Sequence, residues 1–391
     1  MSDYPKDWEE VKLDNVVDIF DNSRIPVSKD KRIAGNIPYY GANGIQDYVS
    51  GYTHDGEFVL LAEDGANNIF EYPVIYTAGK IWVNNHAHVI SGMYGVMSTI
   101  FLSYILKKVN YEEILVGGTR LKLNGKVLRN IKIVLPPLVE QKTIADTLMI
   151  FDKHIENLEK LIEKKKMIRD GAVEDLMTGK TRLNGFDGEW EEVKLEDVCN
   201  DNGMVRGPFG GSLKKEYFVN KGYKVYEQRN AIYKSVDIGN YYIDFNKFEE
   251  LKRFKLKEND FIISCSGTIG EIYQIPKKFK KGIINQALLK ISINNNLCDL
   301  TFFKNYFSWE KFKSKIIDDT QGGAMKNLVG MDKFRKTRLY IPTDIKEQEA
   351  IASILTSMDD EIENLEKEKA KIEKVKAGAM DDLLTGRVRL I

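Results

Sequence analysis

Polar side chains suited to reading base edges or holding phosphates cluster in glycine-rich stretches of this 391-residue chain. Amides of Asn and Gln can pair with adenine, while Arg and Lys can pair with guanine or with phosphate. The first half offers Tyr39, Tyr40 and Asn43, then Asn67 and Asn68, then Trp82 with Asn84, Asn85 and His86, and then Thr119, Arg120 and Lys122. The second half offers Arg206, Ser212, Lys214 and Lys215, then Gln228, Arg229 and Asn230, then Ser266 and Thr268, then Asn285 and Gln286, and last Gln321, Lys326 and Asn327. Singly, each has a plain structural alternative: Tyr39 and Trp82 suit a core, and Gly65 or Gly267 a turn. As clusters in both halves they favour recognition.

Other chemistry is poorly supplied. Gly179-Lys180-Thr181 resembles the end of a phosphate-binding loop, but position 174 is Glu and the second copy reads Gly386-Arg387-Val388, so a helix terminus is expected. The one Pro-Pro, at Pro136-Pro137, has Leu on both sides and not the flanks of an adenine methyltransferase motif. His86 and His88 form an H-x-H pair with no cysteine or carboxylate at ligand spacing, so polar strand residues are expected and no metal. Ser264, Ser266 and Thr268 near Cys265 suggest a nucleophile, but no G-x-S-x-G elbow or paired His supports one, which leaves a binding loop as the better reading. No catalytic residue is assigned.

These loops must be held by a scaffold, and the scaffold is written twice. DWEEVKLDNV at Asp7 to Val16 returns as EWEEVKLEDV at Glu189 to Val198. A longer stretch, Gln141 to Leu183, returns without gaps as Gln348 to Leu390. In it Ile144, Leu148, Phe151, Ile155 and Leu158 recur at spacings of four and three, as do Ile351, Leu355, Met358, Ile362 and Leu365, the pattern of a coiled-coil seam. The first seam is expected to continue through Leu161, Ile168 and Ala172, and the second through Ile372, Ala379 and Leu383. Pro136-Pro137 and Pro342 mark the helix starts, Gly179 and Gly386 the ends. Antiparallel pairing of the two rods is the simplest way to cover both stripes.

Between the repeats, short strands are expected at Phe58 to Leu61, Val74 to Tyr76, His88 to Ile90, Ile131 to Leu135, Phe261 to Ser264, Ala287 to Ile293 and Arg338 to Ile341. Helices are expected at Gly95 to Lys108 and Leu300 to Ile317. A fainter repeat sets VNNHAHVI (Val83 to Ile90) against IINQALLKI (Ile283 to Ile291), so the two variable parts should share a fold without sharing a surface. The fold class is mixed α/β, with an internal pseudo-twofold repeat. The expected segments are 1–137, a helix over 138–183, a second domain over 184–343 and a second helix over 344–391.

Three cysteines without a C-x-x-C pair argue against a disulfide framework and for a reducing compartment, with the cytoplasm as the best fit. No apolar run is long enough for a membrane span or signal peptide. Basic and acidic residues balance at 58 each, yet residues 184–340 carry 27 basic against 21 acidic, which permits a phosphate-binding face there.

The combination resembles the DNA specificity subunit of type I restriction-modification systems. The shared motifs are Trp8 to Leu13 and Trp190 to Leu195, Ile133 to Gln141, Ile144 to Leu158 and Ile351 to Leu365, and Thr178 to Leu183 with Thr385 to Leu390. The second helix start departs from the pattern, reading Ile341-Pro342-Thr343-Asp344-Ile345-Lys346, but Glu347-Gln348 keeps its ending. The resemblance implies two target recognition domains, each reading one half of a bipartite double-stranded DNA site, separated by two long antiparallel helices of fixed length. It implies as partners two adenine methyltransferase subunits using S-adenosylmethionine and a restriction subunit using ATP and Mg2+ to translocate and cut, with no cofactor bound by this chain. The rival reading is a coiled-coil adaptor whose globular domains bind protein, which predicts no DNA affinity.

Overall fold

Five consecutive apolar residues, Phe58 to Ala62, can only be sheltered in the middle of a sheet, and in the computed structural model they form the end of a central strand. The structure describes residues 4–117, 122–318 and 327–390. It separates into two units, residues 1–160 with 366–391, and residues 161–365, so each contains one globular domain and part of both long helices.

The first globular domain runs through β1 (Glu9–Lys12), β2 (Val17–Ile19), β3 (Ala34–Gly41), β4 (Gly44–Val49), β5 (His54–Ala62), β6 (Val74–Val83), β7 (Ala87–Gly92) and β8 (Lys132–Leu135). Six of these form one sheet in the order β2-β7-β5-β6-β3-β4, in which only β3 and β6 are parallel neighbours. The helix Thr99–Leu106 begins where the Ser98 side chain accepts the Phe101 N–H. It buries Phe101, Leu102 and Ile105 beside Val59, Leu61 and Ile90.

The second domain repeats this wiring with one strand cut in two. Its elements are β9 (Trp190–Lys194), β10 (Cys199–Arg206), β11 (Tyr223–Tyr226), β12 (Tyr242–Ile243), β13 (Phe261–Ser264), β14 (Ile272–Gln274), β15 (Gly282–Ile284), β16 (Leu288–Ile293), the short pair β17 (Ile317–Asp318) and β18 (Asn327–Leu328), and β19 (Arg338–Pro342). The orders β10-β16-β13-β14 and β12-β11-β15 reproduce the six-stranded order, with β14 and β15 together in the place of β6. The parallel neighbours are again the matching ones, β11 and β15. The interruption falls at Pro276, which lacks a ladder donor, and the lysine-rich run after it. The expected helix Leu300 to Ile317 is observed as Leu300–Ser308 and Glu310–Ile316, with Trp309 extended between them (ψ 128°).

The opening motif of each half becomes a strand paired with the one before a long helix, β1 with β8 and β9 with β19. The long helices span Leu138–Met177 and Ile345–Leu383. Gly179 and Gly386 follow them with φ of 66° and 72°, the left-handed values that favour glycine after a helix. Helix parts pair antiparallel within each unit: Glu159 with Lys369 and Asp152 with Lys376 in the first, Lys165 with Glu361 and Arg169 with Asp359 in the second. Ile144, Leu148 and Leu158 are buried as expected, as are Ile351, Leu355 and Ile362. The expected continuation through Leu161 and Ile168 is corrected: both are exposed, and Ile162 takes the buried position one residue on. The stems of Lys165 and Arg169, half-buried and ion-paired, cover part of that stretch instead.

Two buried polar residues at each helix start explain the Glu-Gln signature. Gln141 accepts the Ser98 N–H at 2.9 Å and donates to the carbonyls of Val96 and Pro136. Gln348 does the same with the Asp299 N–H and the carbonyls of Leu297 and Pro342. Each glutamine thus locks the helix to its domain. The preceding glutamates, Glu140 and Glu347, accept the indole N–H of Trp8 (3.0 Å) and Trp190 (3.3 Å).

Candidate nucleic-acid interface

At one end of the first domain, turns from different strands are tied into a single polar cluster. The turn between β6 and β7 is built by Asn84, whose side chain accepts the His86 N–H at 2.8 Å and whose own N–H bonds to the Tyr40 carbonyl. After β5 the chain turns at Gly65, φ 70°, and the Glu63 N–H reaches the His86 carbonyl. Asn43, after β3, donates to the Gly65 carbonyl and accepts the Asn67 N–H, pinning this turn from the other side. Asp64 joins the cluster: its carboxylate lies 2.6 Å from Nδ1 of His86 and 3.0 Å from Nζ of Lys122. Burial opposes ionisation of Asp64, but hydrogen bonds from Lys122 and His86 prevail and hold its carboxyl below the usual range.

The second domain builds the same end with other side chains. Asn285 accepts the Ala287 N–H and donates its own N–H to the Tyr226 carbonyl, as Asn84 does with His86 and Tyr40. The Cys265 N–H bonds to the Ala287 carbonyl, so Ser266 stands where Asp64 does, followed by Gly267 at φ 63°. Gly207 approaches so closely that a Cβ there would lie 1.8 Å from the Asn285 carbonyl oxygen, and a Cβ on Gly267 would meet the Gln228 amide at 3.8 Å. Two buried atoms at this end, Nε of Arg206 and Oε1 of Gln228, have no hydrogen-bond partner among the described residues.

The predicted site residues therefore divide. Asn43, Asn67, His86 and Lys122 are brought together in the first domain, with Asn85 exposed beside them. Arg206, Gln228, Ser266, Thr268, Asn285 and Gln286 lie at the matching end of the second. Asn68 sits further along its loop and caps the Phe70 N–H. Arg229 is exposed and paired with Glu227. Ser212, Lys214 and Lys215 lie on the excursion between β10 and β11, where Lys214 stands 3.7 Å from Glu216. Thr119, Arg120, Gln321 and Lys326 fall outside the described residues, as does the side chain of Asn327.

Five of the expected site residues lie in the framework of the domains. Tyr39 is 1% exposed and its hydroxyl donates to the Val27 carbonyl. Tyr40 is buried with its hydroxyl against Thr77. Asn84 is buried as the turn builder, and Asn230 is wholly buried, donating to the carbonyls of Ser235 and Ile238. Their polar atoms are bonded within the fold. Trp82 is half-buried against Tyr39 with its indole N–H on the Ile25 carbonyl, a framework position as well. Asp64 was missed; its sequence signal is an Asp-Gly turn ending a buried strand opposite an H-x-H pair.

The other chemistries fare as follows. The Cys265 thiol is buried, which pushes it up to about 11 and keeps it a poor nucleophile. Asp21, Glu63 and His88 stand together, but Arg24 lies among them, 2.8 Å from Glu63 and 3.6 Å from Asp21, so an arginine meets their negative charge. Among the described residues no helix is long and apolar enough to cross a membrane.

The model of the type I restriction modification DNA specificity domain matches residues 5–165 and again 187–374. A type I restriction enzyme specificity subunit from Haemophilus influenzae is 32% identical over 355 residues, covering 89% of this chain and 86% of its own. The MjaVIII specificity subunit from Methanocaldococcus jannaschii is 26% identical over 432 residues, covering 99% and 94%. Among solved structures, the S subunit of a type I restriction-modification system from M. genitalium shares the fold with a TM-score of 0.64 at 16% identity, over 96% of both chains. A structure described as a basis for complex assembly and conformational transition of the type I R-M system gives 0.56 at 14%, over 98% and 99%. Two matched domains, repeated motifs and a doubled polar loop end agree, and the chain belongs to the type I restriction modification DNA specificity family.

Proposed function

We propose that this chain is the site-reading subunit of a type I restriction-modification complex, each globular domain reading one half of a bipartite double-stranded DNA site. One observation carries the division of labour: the same loop end is built twice on the same strand order, but with Asp64 and His86 in one copy and Ser266 and Ala287 in the other. Equal scaffolds with unequal polar groups suit two readers of different sequence. The basic excess of the second domain supports phosphate binding there.

The chain itself carries out no reaction in this reading. Two adenine methyltransferase subunits using S-adenosylmethionine modify the site, and a restriction subunit using ATP and Mg2+ translocates and cuts, all within the cytoplasm. The family resemblance and the type I assembly named for the second fold neighbour support this set of partners. Methylation mapping of the assembled complex tests the reading. Exchanging residues 184–340 for those of a relative should change one half of the methylated sequence and leave the other half intact. Change in both halves, or in neither, rejects independent readers.

A further inference from the structure

Asp64 is an acid in a surface expected to meet a polyanion, and this asks for an explanation. The residue is 8% exposed, and its two oxygens are divided between Nδ1 of His86 and Nζ of Lys122. Backbone pairing between Asp64 and Lys122 fixes the same neighbours from below. The acid therefore does not face a ligand itself. It faces the two cationic or imidazole groups that do, both of them nearly half exposed.

A carboxylate only accepts hydrogen bonds, so the hydrogen of a neutral His86 ring must sit on Nδ1. Nε2 is then an acceptor, and the half-exposed ring keeps it for an outside partner. In the major groove an acceptor fits the exocyclic amines, adenine N6 or cytosine N4, and clashes electrostatically with the oxygens and N7 of guanine or with thymine O4. The second domain has no such device, because Ser266 and Ala287 stand at the matching places.

We propose that Asp64 is a positioning residue that fixes His86 as a hydrogen-bond acceptor, so that one base pair of the first domain's half-site is selected for an exocyclic amine through a residue that does not touch DNA. This rests on the proposed reading of DNA by that domain. Lys122, held by the other oxygen of Asp64, contributes attraction to the backbone and no base preference.

The test uses the full chain assembled with its methyltransferase subunits, a double-stranded library randomised across the wild-type half-sites, and labelled S-adenosylmethionine at pH 8.5. His86→Ala should lose about tenfold discrimination at a single base pair in the first half-site. Asp64→Asn can turn its amide NH2 toward Nδ1, which moves the ring hydrogen to Nε2; preference at that same base pair should shift toward guanine or thymine. Lys122→Met should weaken methylation of all library members alike. The second half-site should not change in any variant.

Should Asp64→Asn not assemble, Asp64→Ser carries the residue that the second domain has in the same turn, and it should relax the same base pair toward indifference. An assembled Asp64 variant that keeps the wild-type preference, that weakens all sequences equally, or whose change falls on a different base pair from that of His86→Ala overturns the assignment. If exchanging residues 1–137 leaves the methylated site unchanged, the reading of DNA by this domain fails and the assignment with it, a result separable from a faithful half-site that ignores Asp64.

Discussion

Arg389 grips Glu140 with two parallel hydrogen bonds, 2.6 Å from Nε and 2.8 Å from Nη2, and places the last turn of the chain on the first turn of the first long helix. Arg182 and Glu347 form the same pair at 2.8 and 2.9 Å. Both glutamates are nearly inaccessible and also hold an indole, so each arginine is the cation that meets a largely buried carboxylate.

Removing one partner of such a pair is costlier than removing both. Arg182→Ala should destabilise its unit by about 3 kcal/mol, and Arg182→Ala with Glu347→Leu by clearly less. Arg389→Ala should loosen the start of the first helix, Arg182→Ala that of the second. Hydrogen exchange at the Gln141 and Gln348 amides, which bond to the Pro137 and Asp344 carbonyls, reads both effects; equal protection in the variants would refute them.

The buried glutamines give a second prediction. Gln141→Ala removes a wholly buried side chain and leaves the Ser98 N–H and the carbonyls of Val96 and Pro136 without their partner, at a cost of about 3 kcal/mol. Denaturant unfolding should show it, while a surface change such as Lys142→Ala should lie within about 0.5 kcal/mol of wild type.

Domain 1 should also respond to pH through His88. Its ring is buried, with Nδ1 2.5 Å from Asp21 and Nε2 2.6 Å from the Leu123 carbonyl; Glu63 and Arg24 are the other charged groups facing the cluster. Burial disfavours the imidazolium, but the bonds to Asp21 and Leu123 and the charges of Asp21 and Glu63 prevail, and His88 is raised above 6.5. Asp21 is lowered below 3.8: burial works against this, and its bond to His88 outweighs it. The His88 contribution is complete below about pH 6.5 and is lost as pH rises through the raised value, whereas the Asp21 contribution is complete above about pH 3.8 and is lost as pH falls below it. Thermal midpoints should therefore fall as pH rises above about 6.5. His88→Leu, copying Leu289 of the second domain, should flatten that slope, and an unchanged slope would show another group responsible.

Contact chemistry separates in a fourth set of variants. Lys214→Ala and Lys215→Ala should weaken binding to all DNA and each lower the salt slope by about 1. Gln286→Ala should cost about 1–3 kcal/mol at one base pair. Asn285→Ala should instead lose stability, because its oxygen builds the turn. Competition binding on a randomised library at two salt concentrations distinguishes the three outcomes.

Periodicity and punctuation made the long helices and their ends legible, because Ile144, Leu148, Ile351 and Leu355 bury by helix geometry and Gly179 and Gly386 are demanded by positive φ. The shared domain fold was legible through Asn84 and Asn285, two turn builders in the same register. What the chain did not reveal is which polar residues face inward. Asn84 and Asn85 are adjacent and chemically identical, yet one is buried and bonded to backbone while the other is exposed, a difference set by strand neighbours distant in sequence. The seam shift to Ile162 was hidden likewise, since Leu161 and Ile162 are both apolar and partner geometry alone chooses between them.

The crossed tails bear on why the two halves share one chain. Arg182 follows the first domain's helix but closes the second domain, and Arg389 follows the second domain's helix but closes the first. A polypeptide of half this length would carry an arginine whose glutamate lies in no part of its own fold, so two copies would have to meet to be complete, and their stability would rise and fall with concentration. In one chain that encounter is intramolecular. A single chain also frees the two halves from having to be identical, so that one can carry His86 where the other has Ala287.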